Sequence, residues 1–367
     1  MKFICSRDYL LSVLNQIAKA VAIKPSTPAL GGIYLKIGNG ELEIQSNNYM
    51  LGMSSKIVVT SAIEGEVVVI GKKFLDVVRA LPDGMISVSR EFDSGYLEIS
   101  CGKSSYKIAT FKVDEFPKVT KTNSENSFAI EADLLKMLIN KTVFACAKEE
   151  KYPIYTGCLF EIKDDEITVA ATNMHRLAVS QCELVRSSNE MRFVVPGDIL
   201  RIISEMLPDD SSAITIDYFG KNVSFEIGEV FVKARLIDGT YPEYQRVIPV
   251  AGTTFVYVNV MDLLGAVDRL SVISREDPNK KITFKIKRGE IEICAASAEV
   301  GNGVETVRAR LDGDEINISF NGNYIAEALR VLREGDCKIS LKGEFDAADI
   351  RPNDDRNFIY VVTPIRT

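Results

Sequence analysis

The chain has no tryptophan and only one histidine, His175. A centre built on several imidazoles is therefore excluded at the outset. Nowhere does an apolar run reach the roughly 18 residues that a membrane helix needs, so no membrane partner is expected. The seven cysteines, at positions 5, 101, 146, 158, 182, 294 and 337, form no C-x-x-C pair and are odd in number. That pattern argues for reduced thiols in a cytoplasmic protein, against a disulfide framework and against a zinc site. Neither G-x-G-x-x-G nor G-x-x-x-x-G-K occurs, and G-x-S-x-G is missing as well. Phosphate cradles and the nucleophile elbow of hydrolases drop out with them, and no cofactor is expected. Glycines such as Gly38, Gly40 and Gly220 read instead as hairpin turns. Basic excess is absent too: 44 Lys and Arg face 51 Asp and Glu, a net charge of −7. A protein gripping nucleic acid by charge alone should be basic, so any such partner has to be held by other means.

What is present is an internal repeat. Three amphipathic stretches, "KKFLDVVRALPDG", "GDILRIISEMLPDD" and "GNYIAEALRVLREGD", align Phe74, Leu200 and Ile325 at spacings of 126 and 125 residues. A second helical set precedes them: "SRDYLLSVLNQIAKAV", "EADLLKMLINKTVFACA" and "NVMDLLGAVDRLSVI". Each follows a short apolar strand-like run and opens on a polar or acidic residue suited to a helix start. Between the two helices of each unit lie alternating β-branched segments such as "GCLFEIKDDEITVAATNM", with the strand–turn–strand form of a hairpin. The expected organisation is α+β: three units, at 1–120, 128–248 and 253–367, each with two helices and antiparallel sheet. The opening "MKFICSRDYLLSVL" reaches Arg7 and Asp8 too soon for the apolar core of a signal peptide, and is expected to be part of the first unit.

Equivalent units place their helices equivalently, so the helices can form one layer backed by sheet. Two chains closing head-to-tail bring together twelve helices. At about 10 Å per helix they line a hole near 28 Å, wide enough for a nucleic acid duplex and water. Topology, rather than attraction, then holds an acidic ring on its partner.

The threefold repeat, "ATNMHRLAV", "DGTYPEYQRVIP" and the terminal "YVVTPIRT" together resemble the bacterial DNA polymerase III β subunit, the replicative sliding clamp. The likeness runs the length of the chain. It implies a homodimeric ring of six clamp-type units around double-stranded DNA, without sequence preference and without catalysis. It also implies a pocket between the second and third units that takes linear peptides of clients: the polymerase III α subunit, the clamp loader δ subunit, translesion polymerases and mismatch-repair proteins.

Carried over motif by motif, the resemblance implies that the pocket comprises Tyr155, Thr172, His175, Arg176, Leu177, Pro242, Arg246, Val247, Asn321, Tyr324, Val361, Val362, Pro364, Ile365 and Arg366. Met174 stands where the family has glycine, which leads one to expect a changed backbone before His175. Thr363 and Thr367 replace apolar residues and make the C-terminal wall more polar. DNA contacts fall to Lys24, Lys72, Lys148, Lys151 and Tyr152. For the seam between protomers it points to Lys73, Tyr106 and Ile108 against Val272, Ile273 and Glu299, with Lys103, Lys107 and Glu305 nearby.

Two other classes compete with this reading. One is a repeat-built enzyme using His175 with Asp238 or Glu243. The other is a peptide-binding scaffold that does not enclose DNA. Within the resemblance, His175 is a positioning residue of a peptide pocket, neither a metal ligand nor a base.

Overall fold

Each of the six amphipathic stretches is a helix: α1 (Arg7–Ile17), α2 (Gly71–Ala80), α3 (Ala132–Thr142), α4 (Gly197–Met206), α5 (Val260–Ser274) and α6 (Gly322–Leu332). The structure, a computed structural model, describes every residue except 92–93, 122–123, 125, 150, 185–188, 251 and 367. Thr367 and its share of the C-terminal wall thus lie outside the described residues.

The repeat is visible in how the second helices begin. Gly71, Gly197 and Gly322 each occupy the first position of their helix and are buried. A Cβ on Gly197 would stand 2.9 Å from the Thr156 carbonyl oxygen, and one on Gly322 would collide with Ile282. Glycine is required there because helix and neighbouring strand run too close for a side chain. Caps differ between helices. The Asn259 side chain accepts from the Met261 and Asp262 N–H groups, and Asn321 caps α6 through Asn323, whereas Ser6 makes no side-chain cap on α1.

By contact density the chain divides into two units, Met1–Asp133 with Glu205–Leu236 and Leu134–Ser204 with Ile237–Thr367. The division falls inside α3 and α4, so the middle repeat is shared out. Within the first unit one antiparallel sheet runs from the first repeat into the second, because Leu51–Val58 pairs with Val230–Arg235. Its core includes the fully buried Phe3, Leu10, Leu14, Ile17 and Phe74, each contributing about 1.5–3 kcal/mol by leaving water.

Within the second unit the same kind of junction recurs: Arg176–Glu183 pairs with Phe358–Val362. The registers agree. Ser55 lies opposite Val230 and Leu51 opposite Ala234, while Ser180, 125 residues beyond Ser55, lies opposite Phe358 and Arg176 opposite Val362. In both cases the strand that follows the central hairpin of one repeat receives the last strand of the next.

Two strands of these types are left over. Ser104–Phe111 pairs with Tyr96–Cys101 on one side, and on the other only Thr110 and Phe111 have partners. Gly301–Asp312 pairs through Gly301–Arg308 with Glu290–Ser297, and its far side is occupied only at Ala309–Asp312. Among the described residues, the outer edges of 104–109 and 301–308 carry no strand.

Candidate functional site

The strands Glu166–Thr172 and Arg176–Glu183 are joined by the turn Asn173–Met174–His175. Polar side chains hold this turn rigidly. The Thr172 hydroxyl donates to the Arg176 carbonyl at 2.6 Å and accepts the Met174 N–H at 3.1 Å. Asn173 Oδ1 accepts the N–H groups of His175 and Arg176, at 3.1 and 3.2 Å. From the C-terminal segment, both the backbone N–H and the hydroxyl of Thr363 donate to the His175 carbonyl at 3.0 Å.

Met174 sits in this turn at φ 74°, the left-handed region. The turn therefore keeps the backbone shape that suits glycine, and the expected change of shape does not occur. Methionine tolerates the position at a cost of about 1–2 kcal/mol, from Cβ crowding against the carbonyl that follows.

An apolar groove of about 250 Å³ opens beside the turn. Tyr155, Thr172, His175, Arg176, Leu177, Pro242, Val247 and Val361, all among the residues that the resemblance assigns to a pocket, line it. Met174, Glu243, Tyr244, Ala347 and Thr363 line it as well. Its floor is a core of Leu159, Ala170, Leu177, Val179, Tyr241, Tyr244 and Val361. The two tyrosines are anchored from below. Tyr241 donates to the Ala170 carbonyl at 3.4 Å and Tyr244 to Glu161 at 2.8 Å. Burial pushes both phenols well above their ordinary value, with Glu161 adding to the effect at Tyr244. Tyr155 packs edge-on against Tyr152 and Tyr241.

A polar cavity of about 570 Å³ adjoins the groove and shares Tyr155, Met174, His175 and Arg176 with it. Asn321 and Tyr324 belong to this cavity, together with Lys148, Lys151, Tyr152, Lys280 and Glu327. The two chambers make one site, apolar at one end and polar at the other, the form suited to an extended peptide.

Several expected side chains act otherwise. Arg176 is only 4% exposed. Its guanidinium pairs with Glu327, donates to the Phe144 carbonyl and lies between the rings of Phe144 and Tyr324, 5.4 and 4.4 Å from their centroids. It braces the wall instead of reaching for a peptide. Arg246 is exposed, tied to Glu243, and absent from the lining. Val362 faces away from the groove, because alternate residues of a strand point to opposite faces and Val361 takes the groove side. Pro364, Ile365 and Arg366 also lie outside both linings. The Ile365 N–H donates to the Ser319 carbonyl at 2.8 Å.

His175 offers its backbone carbonyl and an exposed ring. Among the described residues no group of three or more His, Cys, Asp or Glu is placed to hold a metal ion. Glu243, the acid considered for an enzyme, is ion-paired at the surface with Arg246, and Asp238 does not line the groove.

Of the residues considered for DNA, Lys24 and Lys72 are exposed, the latter in the first turn of α2. Lys148, Lys151 and Tyr152 are exposed along the polar cavity. At the expected seam Tyr106 and Val272 are 44% and 61% exposed, Lys73 and Glu299 are exposed and Ile273 is half-buried. Ile108 is buried within its own unit, where it faces Leu97 across the strand pair, so it offers no free surface. Lys107 pairs with Glu98, and Glu305 is held bidentately by Arg269, so neither is a free charge.

Three family models cover the chain: the DNA polymerase III beta subunit N-terminal domain over 1–120, its central domain over 129–243 and its C-terminal domain over 245–366. The beta sliding clamp of Bacillus subtilis is 31% identical over the full length of both chains. The crystal structure of a DNA polymerase sliding clamp from the same organism superposes with a TM-score of 0.95 at 29% identity, covering 100% of this chain and 99% of that one. A sliding clamp from Pseudomonas aeruginosa bound to griselimycin superposes at 0.94 with 25% identity over both full chains. The Thermotoga maritima DNA polymerase III beta subunit does so at 0.93 with 26% identity, over 100% of this chain and 99% of that one.

Proposed function

The chain belongs to the DNA polymerase III beta subunit family, the beta sliding clamps, and from that premise we propose how its parts do the work of one. The family is non-catalytic. The protein is a processivity factor that keeps a polymerase on DNA, and its histidine has no reaction to perform.

The observation that carries closure is the repeated strand junction. Two copies of it lie within the chain, in identical register, and among the described residues the two strands that correspond to the halves of a third are left unjoined along 104–109 and 301–308. Head-to-tail association of two chains joins 104–109 of one to 301–305 of the next, and again at the other end, closing a ring of six units. The same register puts Ser104 opposite Glu305 and Tyr106 opposite Gly303. A Cβ at Gly303 would come within 2.9 Å of Leu270. Its absence lets the Tyr106 ring settle against Leu270 and Ile273 on α5. Lys73, Val272 and Glu299 flank that contact. Exposed edge strands invite pairing, and closure removes both.

Lys24, Lys72, Lys148, Lys151 and Tyr152 contact the phosphates of the enclosed duplex, without reading sequence. Lysine, a compact and strongly hydrated charge, suits a ring that must slide. The repeats, taken as 1–120, 128–248 and 253–367, each contribute two helices to the inner wall. The site beside Met174 receives linear segments of clients: the polymerase III α subunit, the clamp loader δ subunit, translesion polymerases and mismatch-repair proteins. The Pseudomonas relative is bound to griselimycin, and we infer that in this chain the same compound would occupy the groove beside Met174. Among the described residues no helix is long and apolar enough to cross a membrane.

Retention on nicked circular DNA tests the whole reading. After loading, the protein stays on circles through high salt and runs off once a restriction enzyme frees the ends. Release from circles by salt alone refutes enclosure and leaves a peptide-binding scaffold.

A further inference from the structure

Cys146 and Cys158 are 12 residues apart in sequence, and the structure brings their sulfurs to 3.5 Å, both as free thiols. Their settings differ. Cys158 is fully buried at the second position of the strand Gly157–Lys163, and burial pushes its thiol well above the ordinary value. Cys146 is buried too, at 3% exposure, but it closes the short turn Val143–Ala145 and contributes to the lining of the polar cavity. A small oxidant entering that cavity reaches Cys146 first, with Cys158 directly behind it.

We propose that Cys146 and Cys158 are a modification site: a peroxide-driven disulfide that reshapes the adjoining client site. The Cys146 sulfur attacks one oxygen of the peroxide and the O–O bond breaks. A sulfenic acid forms at Cys146 and one water departs, carrying the thiol proton. The Cys158 sulfur then attacks the Cys146 sulfur, the S–O bond breaks, and a second water leaves with the remaining proton. Two thiols are oxidised by two electrons and one peroxide is reduced to two waters.

Formation of the bond draws the sulfurs from 3.5 Å to about 2.05 Å. Cys158 is fixed in a strand paired on both sides, with Val195 directly opposite. The movement therefore falls on Cys146 and its turn. That turn carries Phe144, whose carbonyl and ring hold the Arg176 guanidinium. The next residue, Ala147, donates its N–H to the Tyr155 carbonyl at 2.8 Å. Arg176 and Tyr155 are both shared walls of groove and cavity. Oxidation therefore displaces the wall between the two chambers and weakens client binding.

This output rests on the client-site reading, whereas the bond itself does not. The full-length protein is treated with hydrogen peroxide, digested without reductant and mapped by mass spectrometry. In parallel, griselimycin affinity is measured before oxidation, after it, and after reduction with dithiothreitol. The expected result is a Cys146–Cys158 cross-link that has lost two hydrogens, with affinity lower by about fivefold and restored by the reductant. Cys158→Ser and Cys146→Ser keep their affinity through peroxide treatment. Oxidation at half-buried Cys182 or Cys294 with no Cys146–Cys158 bond overturns the proposal. A bond that leaves affinity unchanged overturns its regulatory half. Should griselimycin not bind the untreated protein, the groove reading fails, while the mass map still decides the disulfide.

Discussion

Arg176 and Glu327 form an ion pair across 151 residues of sequence, with the arginine side chain 2% exposed and the glutamate 30%. The buried partner depends on the other more than the reverse. Truncating Glu327 to alanine leaves a desolvated cation without its carboxylate, held by the Phe144 carbonyl, the Tyr360 hydroxyl and two ring faces. Discounted for the exposure of the carboxylate, the loss is about 2 kcal/mol. Urea melts of Glu327→Ala, Arg176→Met and the double variant measure it. The double variant is expected to lose less than the sum of the singles, and strict additivity contradicts the pairing.

Met174 predicts a gain. Replacing it by glycine relieves the left-handed strain and adds back some unfolded-state entropy, for a net stabilisation of about 0.5–1 kcal/mol. A higher melting temperature for Met174→Gly supports this. A lower one means that the thioether packs more favourably than its 53% exposure suggests.

Val247 separates binding from folding. It lines the groove yet is 57% exposed. Val247→Asp should lower griselimycin affinity by about tenfold or more, because a carboxylate is desolvated on binding, and should shift stability by no more than about 0.5 kcal/mol. Val361 is a poorer probe, since it is 3% exposed and part of the core beneath. Undiminished affinity in Val247→Asp means that the ligand sits elsewhere.

The register across the seam is checked by paired cysteines. Ser105→Cys with Val304→Cys places two thiols directly opposite and on one face, and is expected to give a covalent dimer under mild oxidation. Ser105→Cys with Glu305→Cys slips by one residue, which turns the side chains to opposite faces and should not cross-link. Equal yields from both pairs refute the register.

Glu292 sets a pH dependence. Hydrogen bonds from Lys285 first, then Lys287 and the Cys294 thiol, hold its carboxyl down to about 2. The folded value is depressed, so its stabilisation is complete above the unfolded value of about 4.3 and is lost as pH falls through the folded one. The stability difference between the wild type and Glu292→Gln should be flat from pH 7 to about 5 and vanish near pH 2. A carboxyl that titrates near 4 by NMR contradicts the Lys285 and Lys287 contacts.

Helices and hairpins were legible because their signals are local. Phe74, Leu200 and Ile325 mark the same helix face in every repeat, and the turns with Gly40 and Asp165 announce their hairpins. Pairings over long separations were not legible. Nothing near Arg176 in sequence announces Val362 as its strand partner or Glu327 as its counter-ion, so a side chain that resembles a peptide donor proved to be a buried brace. Ala347 reaches the groove from a loop with no periodicity to mark it. Cys146 and Cys158 looked scattered because a turn and a short 3-10 segment separate them, and only the folded chain brings them together. Tyr244 lay within the quoted "DGTYPEYQRVIP", but no periodicity in that stretch marked it as part of the groove.

The strand junction has one further consequence. Two of its three kinds of contact join segments of a single chain, where the linking polypeptide keeps the partners at an effective concentration on the order of millimolar. The third joins separate molecules and answers to the protein's actual concentration. With equal pairing at every junction, dilution alone selects where the circle parts. It does so at one of two places related by symmetry, and parting either one opens the circle.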